Sequence, residues 1–204
     1  MPTSLKNNSV TWTNILLNEI AKVGDVSKVE DKYFRKYNKP DVRRSLKNMY
    51  KNLCCNCERD VGRSGHIEHR KPMKPYPNET YNWDNMNLAC ADCNEAKGNK
   101  YDEAHPILDY VNDVPISDNL EYHIYKISAI SDRGRTTRDH VLLNREDLNE
   151  QRQEILFNTL EIIGEINKDP LHPSMDIHKE KLNEQTKNQF GVFIKYIIDR
   201  YKQW

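Results

Sequence analysis

No run of apolar residues in this chain comes near the roughly 20 that a membrane-crossing helix needs, and the mean hydropathy of -0.91 points the same way. The first ten residues, Met1 to Val10, are polar and hold no apolar signal-peptide core, so export is not expected. Internal repeats and low-complexity tracts are absent, which excludes solenoids and tandem arrays. Net charge is missing as well. Lys and Arg number 31 and so do Asp and Glu, so the whole chain offers no basic field to a polyanion.

What is present is a chain of 204 residues, 37% apolar and 30% charged, enough for one substantial domain or a small catalytic unit with helical additions. Its charge is unevenly spread. Lys32, Arg35, Lys36, Lys39, Arg43, Arg44, Lys47 and Lys51 lie in one stretch against Asp41 alone, whereas Glu146, Asp147, Glu150, Glu154, Glu161 and Glu165 make a later segment acidic. Such asymmetry suits a basic face for phosphates and an acidic remainder for another partner; each run also fits an ordinary solvated helix surface.

Helical periodicity is clear in three places. Trp12 to Val23 carries Ile15, Leu16, Ile20 and Val23, with Gly24 as the stop. Pro40 and Asp41 open a helix with Val42, Leu46, Met49 and Tyr50 on one side. Asn144 is the expected N-cap of a third, whose stripe is Leu148, Ile155, Leu156, Thr159, Leu160, Ile163 and Ile166, ending at Lys168-Asp169-Pro170. A last helical region packs Phe190, Phe193, Ile194, Ile197, Ile198 and Tyr201. The alternation of Leu120, Tyr122 and Ile124 predicts a strand, Arg133-Gly134 a turn, and Thr137 to Leu143 a short helix.

Residues 53 to 100 change character, with cysteine, asparagine, proline and glycine replacing periodic apolar residues. Cys54-Cys55-Asn56-Cys57 and Cys90-Ala91-Asp92-Cys93 are two C-x-x-C knuckles. Together Cys54, Cys57, Cys90 and Cys93 supply the four thiolates of a closed tetrahedral zinc site, which folds a module and does no chemistry. A redox dithiol needs one pair only, and an iron–sulfur cluster has no other support here. Cys55 is the spare. Paired cysteines of this kind point to a reducing, cytoplasmic compartment rather than to disulfides.

Between the knuckles lie His66-Ile67-Glu68-His69-Arg70-Lys71-Pro72 in a short strand and Asn85-Met86-Asn87-Leu88-Ala89; Asn94 to Lys97 follow on a helix over Ala91 to Gly98. Phosphodiester hydrolysis needs an activated water, a base for its proton and a cation at the phosphate. Glu68 and Asn94 are hard oxygen donors suited to Mg2+ or Mn2+, and His69 is available as the base. Arg70, Lys71 and Lys97 are candidate phosphate contacts, Lys97 being equally placed to cap the helix end, with Arg43, Arg44 and Lys47 tracking a DNA backbone without reading sequence. Neighbours on a regular strand point to opposite faces. Either the strand ends before His69, or His66 and Glu68 share a face and some roles change.

The order acidic-His, asparagine, then Cys-x-x-Cys-Asn-x-x-Lys-Gly resembles the zinc-bearing HNH endonucleases, whose core is a ββα-metal motif. The resemblance implies His69 as general base, Glu68 and Asn94 as ligands of the catalytic Mg2+ or Mn2+, and Asn85, in preference to Asn87, as the asparagine bracing the loop beside the base. Glu68 stands where Asp is more usual in that family, and Asn94 where many members have His. Residues 67–72, 81–85, 93–100, 106–109 and 134–152 further resemble the HNH subunit of Septu-type and retron-associated antiphage systems. That likeness implies a prokaryotic DNA nuclease beside an ATPase subunit. The acidic helix at 145–167 offers either a docking face towards such a subunit or simply the outer face of a core helix.

The resulting expectation is a mostly α (α+β) chain: an N-terminal helical segment over 1–52, a zinc-bound nuclease core over 53–103, and a mixed, then helical, segment over 104–204. The competing expectation is a non-catalytic zinc module that binds DNA or a partner, for which the cysteines alone suffice.

Overall fold

The computed structural model describes residues 1–110, 113 and 115–204. Among the described residues helices dominate, with two small antiparallel strand pairs. The chain divides into two compact units: residues 1–55 with 61–107, and residues 108–204 with the short loop 56–60.

In the first unit, α1 (Thr3–Val23) runs longer than its periodic part. It stops where Gly24 turns left-handed at φ +74°, letting its N–H reach the Ile20 carbonyl at 2.8 Å. After the one-turn α2 (Asp31–Phe34), α3 (Pro40–Met49) opens on Pro40, which lacks an N–H at a position where none is bonded. The backbone N–H and hydroxyl of Ser4 both donate to the Asp41 carboxylate, at 2.9 and 2.8 Å, joining the starts of α1 and α3. Leu5, Leu16, Val42, Leu46 and Tyr50 are all buried beneath these helices.

The strand pair that follows is β1 (His66–His69) against β2 (Met86–Ala89), with His66 opposite Ala89, Ile67 opposite Leu88, Glu68 opposite Asn87 and His69 opposite Met86. It leads directly into α4 (Ala91–Lys97), so this part of the unit is a ββα arrangement. Tyr81 anchors the β1–β2 connection: it meets Trp12 edge-on at 5.6 Å and its hydroxyl donates to the Tyr33 carbonyl.

The second unit holds β3 (Leu120–His123) and β4 (Lys126–Ala129), then α5 (Asp132–His140), α6 (Glu146–Lys168), α7 (Met175–Gln185) and α8 (Gly191–Tyr201). Leu156 and Ile163 on α6 and Phe193, Ile194 and Ile197 on α8 are buried. From the 56–60 loop, the Glu58 carbonyl accepts from Phe190 N–H, and its carboxylate lies 3.2 Å from Val192 N–H at the start of α8. Burial lifts the Glu58 carboxyl to about 8, despite that hydrogen bond.

Three local expectations change. The strand ends at His123, because Ile124 takes a left-handed turn conformation at φ +60°. Arg133 and Gly134 lie inside the first turn of α5 rather than in a loop, with Ser131 as N-cap; a Cβ on Gly134 would fall 2.0 Å from the Asn119 carbonyl oxygen. Asn144 does not cap α6. Arg145 holds the N-cap position, while the Asn144 amide pairs with both Ile127 N–H (2.8 Å) and Ile127 C=O (2.7 Å) on β4. Within the α6 stripe sits a buried cation, Arg152, whose guanidinium donates to Leu143 O and Asn149 Oδ1. Among the described residues no helix is long and apolar enough to cross a membrane.

Candidate active site

Cys54, Cys57, Cys90 and Cys93 come together with their sulfurs all within 4.8 Å of one another, and all four are buried. Four thiolates about a zinc ion at about 2.3 Å give sulfur–sulfur edges of about 3.8 Å, so this set is placed to bind one metal and leaves it no open position. Cys90 also N-caps α4, its sulfur accepting from Cys93 N–H at 3.4 Å. Cys55 takes no place in the cluster; its N–H donates to Leu88 O on β2 at 2.8 Å.

β1 stays regular through His69, so its side chains alternate. His66 and Glu68 face α4. The Asn94 amide nitrogen lies 3.3 Å from His66 Nδ1, and Lys97 Nζ lies 2.7 Å from Glu68 Oε1. His66 is exposed, whereas Glu68 and Lys97 are only 2% and 3% exposed. The Glu68–Lys97 approach is a charge contact without hydrogen-bond alignment at Oε1. Glu68 Oε2 accepts from Asn87 Nδ2 at 3.3 Å, Asn87 Oδ1 accepts from the Tyr50 hydroxyl at 2.9 Å, and Lys97 Nζ donates to the His69 carbonyl at 2.7 Å. Tyr50, Asn87, Glu68 and Lys97 thus form one buried polar chain beneath β1.

His69 points the other way, so the strand does not end before it: His66 and Glu68 share one face of β1, and His69 stands on the face opposite Glu68 and Asn94. Its Nε2 donates to the Thr80 carbonyl at 2.9 Å, and the Tyr37 ring meets it edge-on, with centroids 4.6 Å apart. At 6% exposure its pKa is pushed down to about 4, first by burial and secondly by the charge of Lys97; the Thr80 bond opposes both. The ring is therefore neutral near pH 7, with Nε2 committed and Nδ1 left as the acceptor.

Asn85 is 4% exposed and closes the connection between the strands. Its Oδ1 accepts from Lys71 N–H at 2.7 Å, and its Nδ2 donates to Lys71 O and Glu79 O, both at 3.0 Å. Its own carbonyl takes Arg70 N–H at 2.9 Å. One side chain thus pins both feet of the 71–79 loop next to Thr80, the residue that orients His69.

The structure gives the six cations chosen as phosphate contacts different surroundings. Lys97 is buried against Glu68, so as placed it faces a carboxylate rather than solvent. Arg43 donates to Gly65 O and Asn38 Oδ1, and Lys47 to Gly62 O, so both hold the turn that leads into β1. Lys71 lies over Tyr76 and Tyr101 and 3.3 Å from Glu103. Arg70 is half-buried and Arg44 is exposed.

Sequence reasoning missed Tyr37, Tyr50 and Thr80, which reach the site through tertiary contacts and carry no local signal. Asn87 was visible. Placing it opposite Glu68 needs only the β1–β2 register, which a residue count cannot supply across so long a connection.

Residues 52–100, which span both knuckles, β1, β2 and α4, match the family model described as HNH endonuclease. Among curated proteins, nothing matches the chain. The match supports a nuclease-type function for this segment.

Proposed function

We propose that the chain is a divalent-metal-dependent endonuclease that hydrolyses DNA phosphodiester bonds, with His69 as the general base. The observation that carries this reading is the state of His69: neutral, held at Nε2 by the Thr80 carbonyl, and left with Nδ1 free to take a proton. A surface histidine would be partly protonated near neutrality and free to rotate. In the proposed reaction Nδ1 takes a proton from water as its oxygen forms a bond to phosphorus and the bond from phosphorus to one sugar oxygen breaks, that oxygen leaving to be protonated by solvent; Asn85 keeps the 71–79 loop, and so Thr80, fixed during the transfer. Glu68 and Asn94 are the proposed ligands of Mg2+ or Mn2+, which when bound would supply positive charge at the phosphate. The four cysteines hold structural Zn2+, which fixes the start of α4 and hence Asn94.

DNA is the proposed substrate. Arg43, Arg44, Lys47, Arg70 and Lys71 supply positive charge at its backbone, giving salt-sensitive and sequence-independent binding. Following the Septu-type likeness, the proposal extends to a cytoplasmic antiphage effector working beside an ATPase subunit. The exposed acids Glu146, Glu150, Glu154, Glu161 and Glu165 on α6, with Phe157 at 69% exposure among them, form the proposed docking face.

Two observations favour a second reading. His69 lies on the face of β1 opposite Glu68 and Asn94. Glu68 already has a cation in Lys97, an arrangement suited to a zinc-stabilised scaffold that binds DNA or a partner without cutting. Plasmid digestion with Mg2+ or Mn2+ separates the two. Wild type should nick or cut, and a zinc-replete His69→Ala should be slower by about 10²- to 10⁴-fold. Equal rates would remove His69 from the mechanism, and no cleavage by either protein would favour the scaffold.

A further inference from the structure

The face of β1 turned to α4 ends in two ligand-type side chains that the buried ion pair does not use. Asn94 Nδ2 approaches His66 Nδ1 at 3.3 Å, which brings the amide of Asn94 and the imidazole of His66 together on the α4 side of β1. A half-turn of the Asn94 amide would exchange its Nδ2 for Oδ1, the atom a cation takes, and release the His66 Nδ1 lone pair, which a metal takes from a neutral imidazole. His66 is exposed and Asn94 half-buried, so both are open to a phosphate and to water, as a cation at a scissile bond must be. Two residues further along the same face, Glu68 is 2% exposed and already balanced by Lys97.

Both side chains are also anchored. His66 stands opposite Ala89, the residue before Cys90, and Asn94 follows Cys93 on the first turn of α4. A metal on the cysteines therefore fixes the backbone next to each of them, which is the preorganisation that a weakly binding site needs.

We infer that His66 is a ligand of the catalytic divalent cation, bound together with Asn94, and that the site consequently takes Mn2+ or a later first-row ion in preference to Mg2+. Imidazole is a good ligand for the transition ions and a poor one for Mg2+, which takes oxygen. The inference rests on the nuclease reading for the cation's purpose, though its ligand claim can be read without turnover.

The test uses the full zinc-loaded chain with Mn2+ and pulsed electron paramagnetic resonance, which detects an imidazole nitrogen bound directly to manganese. Wild type and His69→Ala should show this coupling and His66→Ala should not. Loss of His66 should also weaken Mn2+ binding by about 10- to 100-fold. His66→Asp, which exchanges nitrogen for oxygen, should shift the preference towards Mg2+. A coupling kept in His66→Ala, or no nitrogen coupling in wild type, would overturn the inference. If the coupling depends on His66 but plasmid stays intact, the ligand assignment stands and the nuclease reading falls. If plasmid is cut in a His69-dependent way with no coupling, the nuclease reading stands and the ligand assignment falls.

Discussion

The two strand pairs are the same length and both antiparallel, yet they are built on opposite principles. In β3 the side chains alternate, Leu120 and Tyr122 buried and Glu121 and His123 exposed, and Ile127 is the buried centre of β4. That is the ordinary economy of a sheet with one wet face. In β1 and β2 every residue except His66 is buried, including Glu68, His69, Asn87 and, just before β2, Asn85. Burying polar groups gains little free energy even when they are well paired, and costs several kcal/mol when they are not. A region that accepts this cost on both faces is held by something besides apolar contact: the adjoining cysteine cluster and a buried polar chain closed by the Glu68–Lys97 charge contact.

The comparison can be broken most severely by removing metal from the cysteines. A strong chelator should unfold the β1–β2–α4 region, seen as proteolysis within residues 54–100, because structural zinc supplies roughly 10 kcal/mol or more to such modules. The β3–β4 pair should stay protected. Concurrent loss of both pairs would mean that their supports are not separate.

Next in size is the buried ion pair. Lys97→Met leaves Glu68 charged, buried and uncompensated, and should cost about 3 to 5 kcal/mol by urea denaturation. Lys97→Met combined with Glu68→Gln should recover much of that loss. A Lys97→Met protein as stable as wild type would show that Glu68 is not held as the geometry indicates.

His69 gives a pH signature. Its folded pKa, about 4, is depressed below the ordinary 6.5, so the unfolded chain binds the proton more readily. The contribution to stability is full above about pH 6.5 and falls as pH drops towards 4, by about 2 to 4 kcal/mol in all. His69→Gln should flatten this part of the stability profile between pH 6.5 and 4. An unchanged slope would place the titration elsewhere.

The second pair offers the smallest effects. Asn144→Ala strands Ile127 N–H and C=O and should cost about 1 to 3 kcal/mol. Glu121→Ala on the wet face should stay within about 0.5 kcal/mol, as ordinary surface changes do. A larger loss at Glu121 than at Asn144 would reverse the contrast between buried and exposed positions.

The same contrast explains what could be read from the amino acids. The start of α3 at Pro40, the stop of α1 at Gly24 and the alternation of Leu120 and Tyr122 follow from local rules, and those elements form where the rules put them. The first pair has no alternation to read. It was legible through chemistry, in two knuckles and the Glu68-His69 and Cys93-Asn94 neighbours. What stayed hidden were relations across the fold. Tyr37 against His69 joins a loop to a strand, and Lys97 turns inward because a carboxylate lies across from it. Asn144 is a good N-cap residue by type, but the bare backbone of Ile127 on β4 draws its amide more strongly.

Asn85 carries a consequence for tolerance to change. Because one amide grips the 71–79 connection at Lys71 and at Glu79, the exposed apex at Lys74 and Pro75 is mechanically isolated from the histidine beyond its feet. Lengthening a loop whose ends are already fixed costs only about 0.6 kcal/mol for each doubling. The apex is therefore a place where relatives can diverge in length, or where a reporter peptide can be grafted, while replacing the single nitrogen of Asn85 by oxygen would be felt at once.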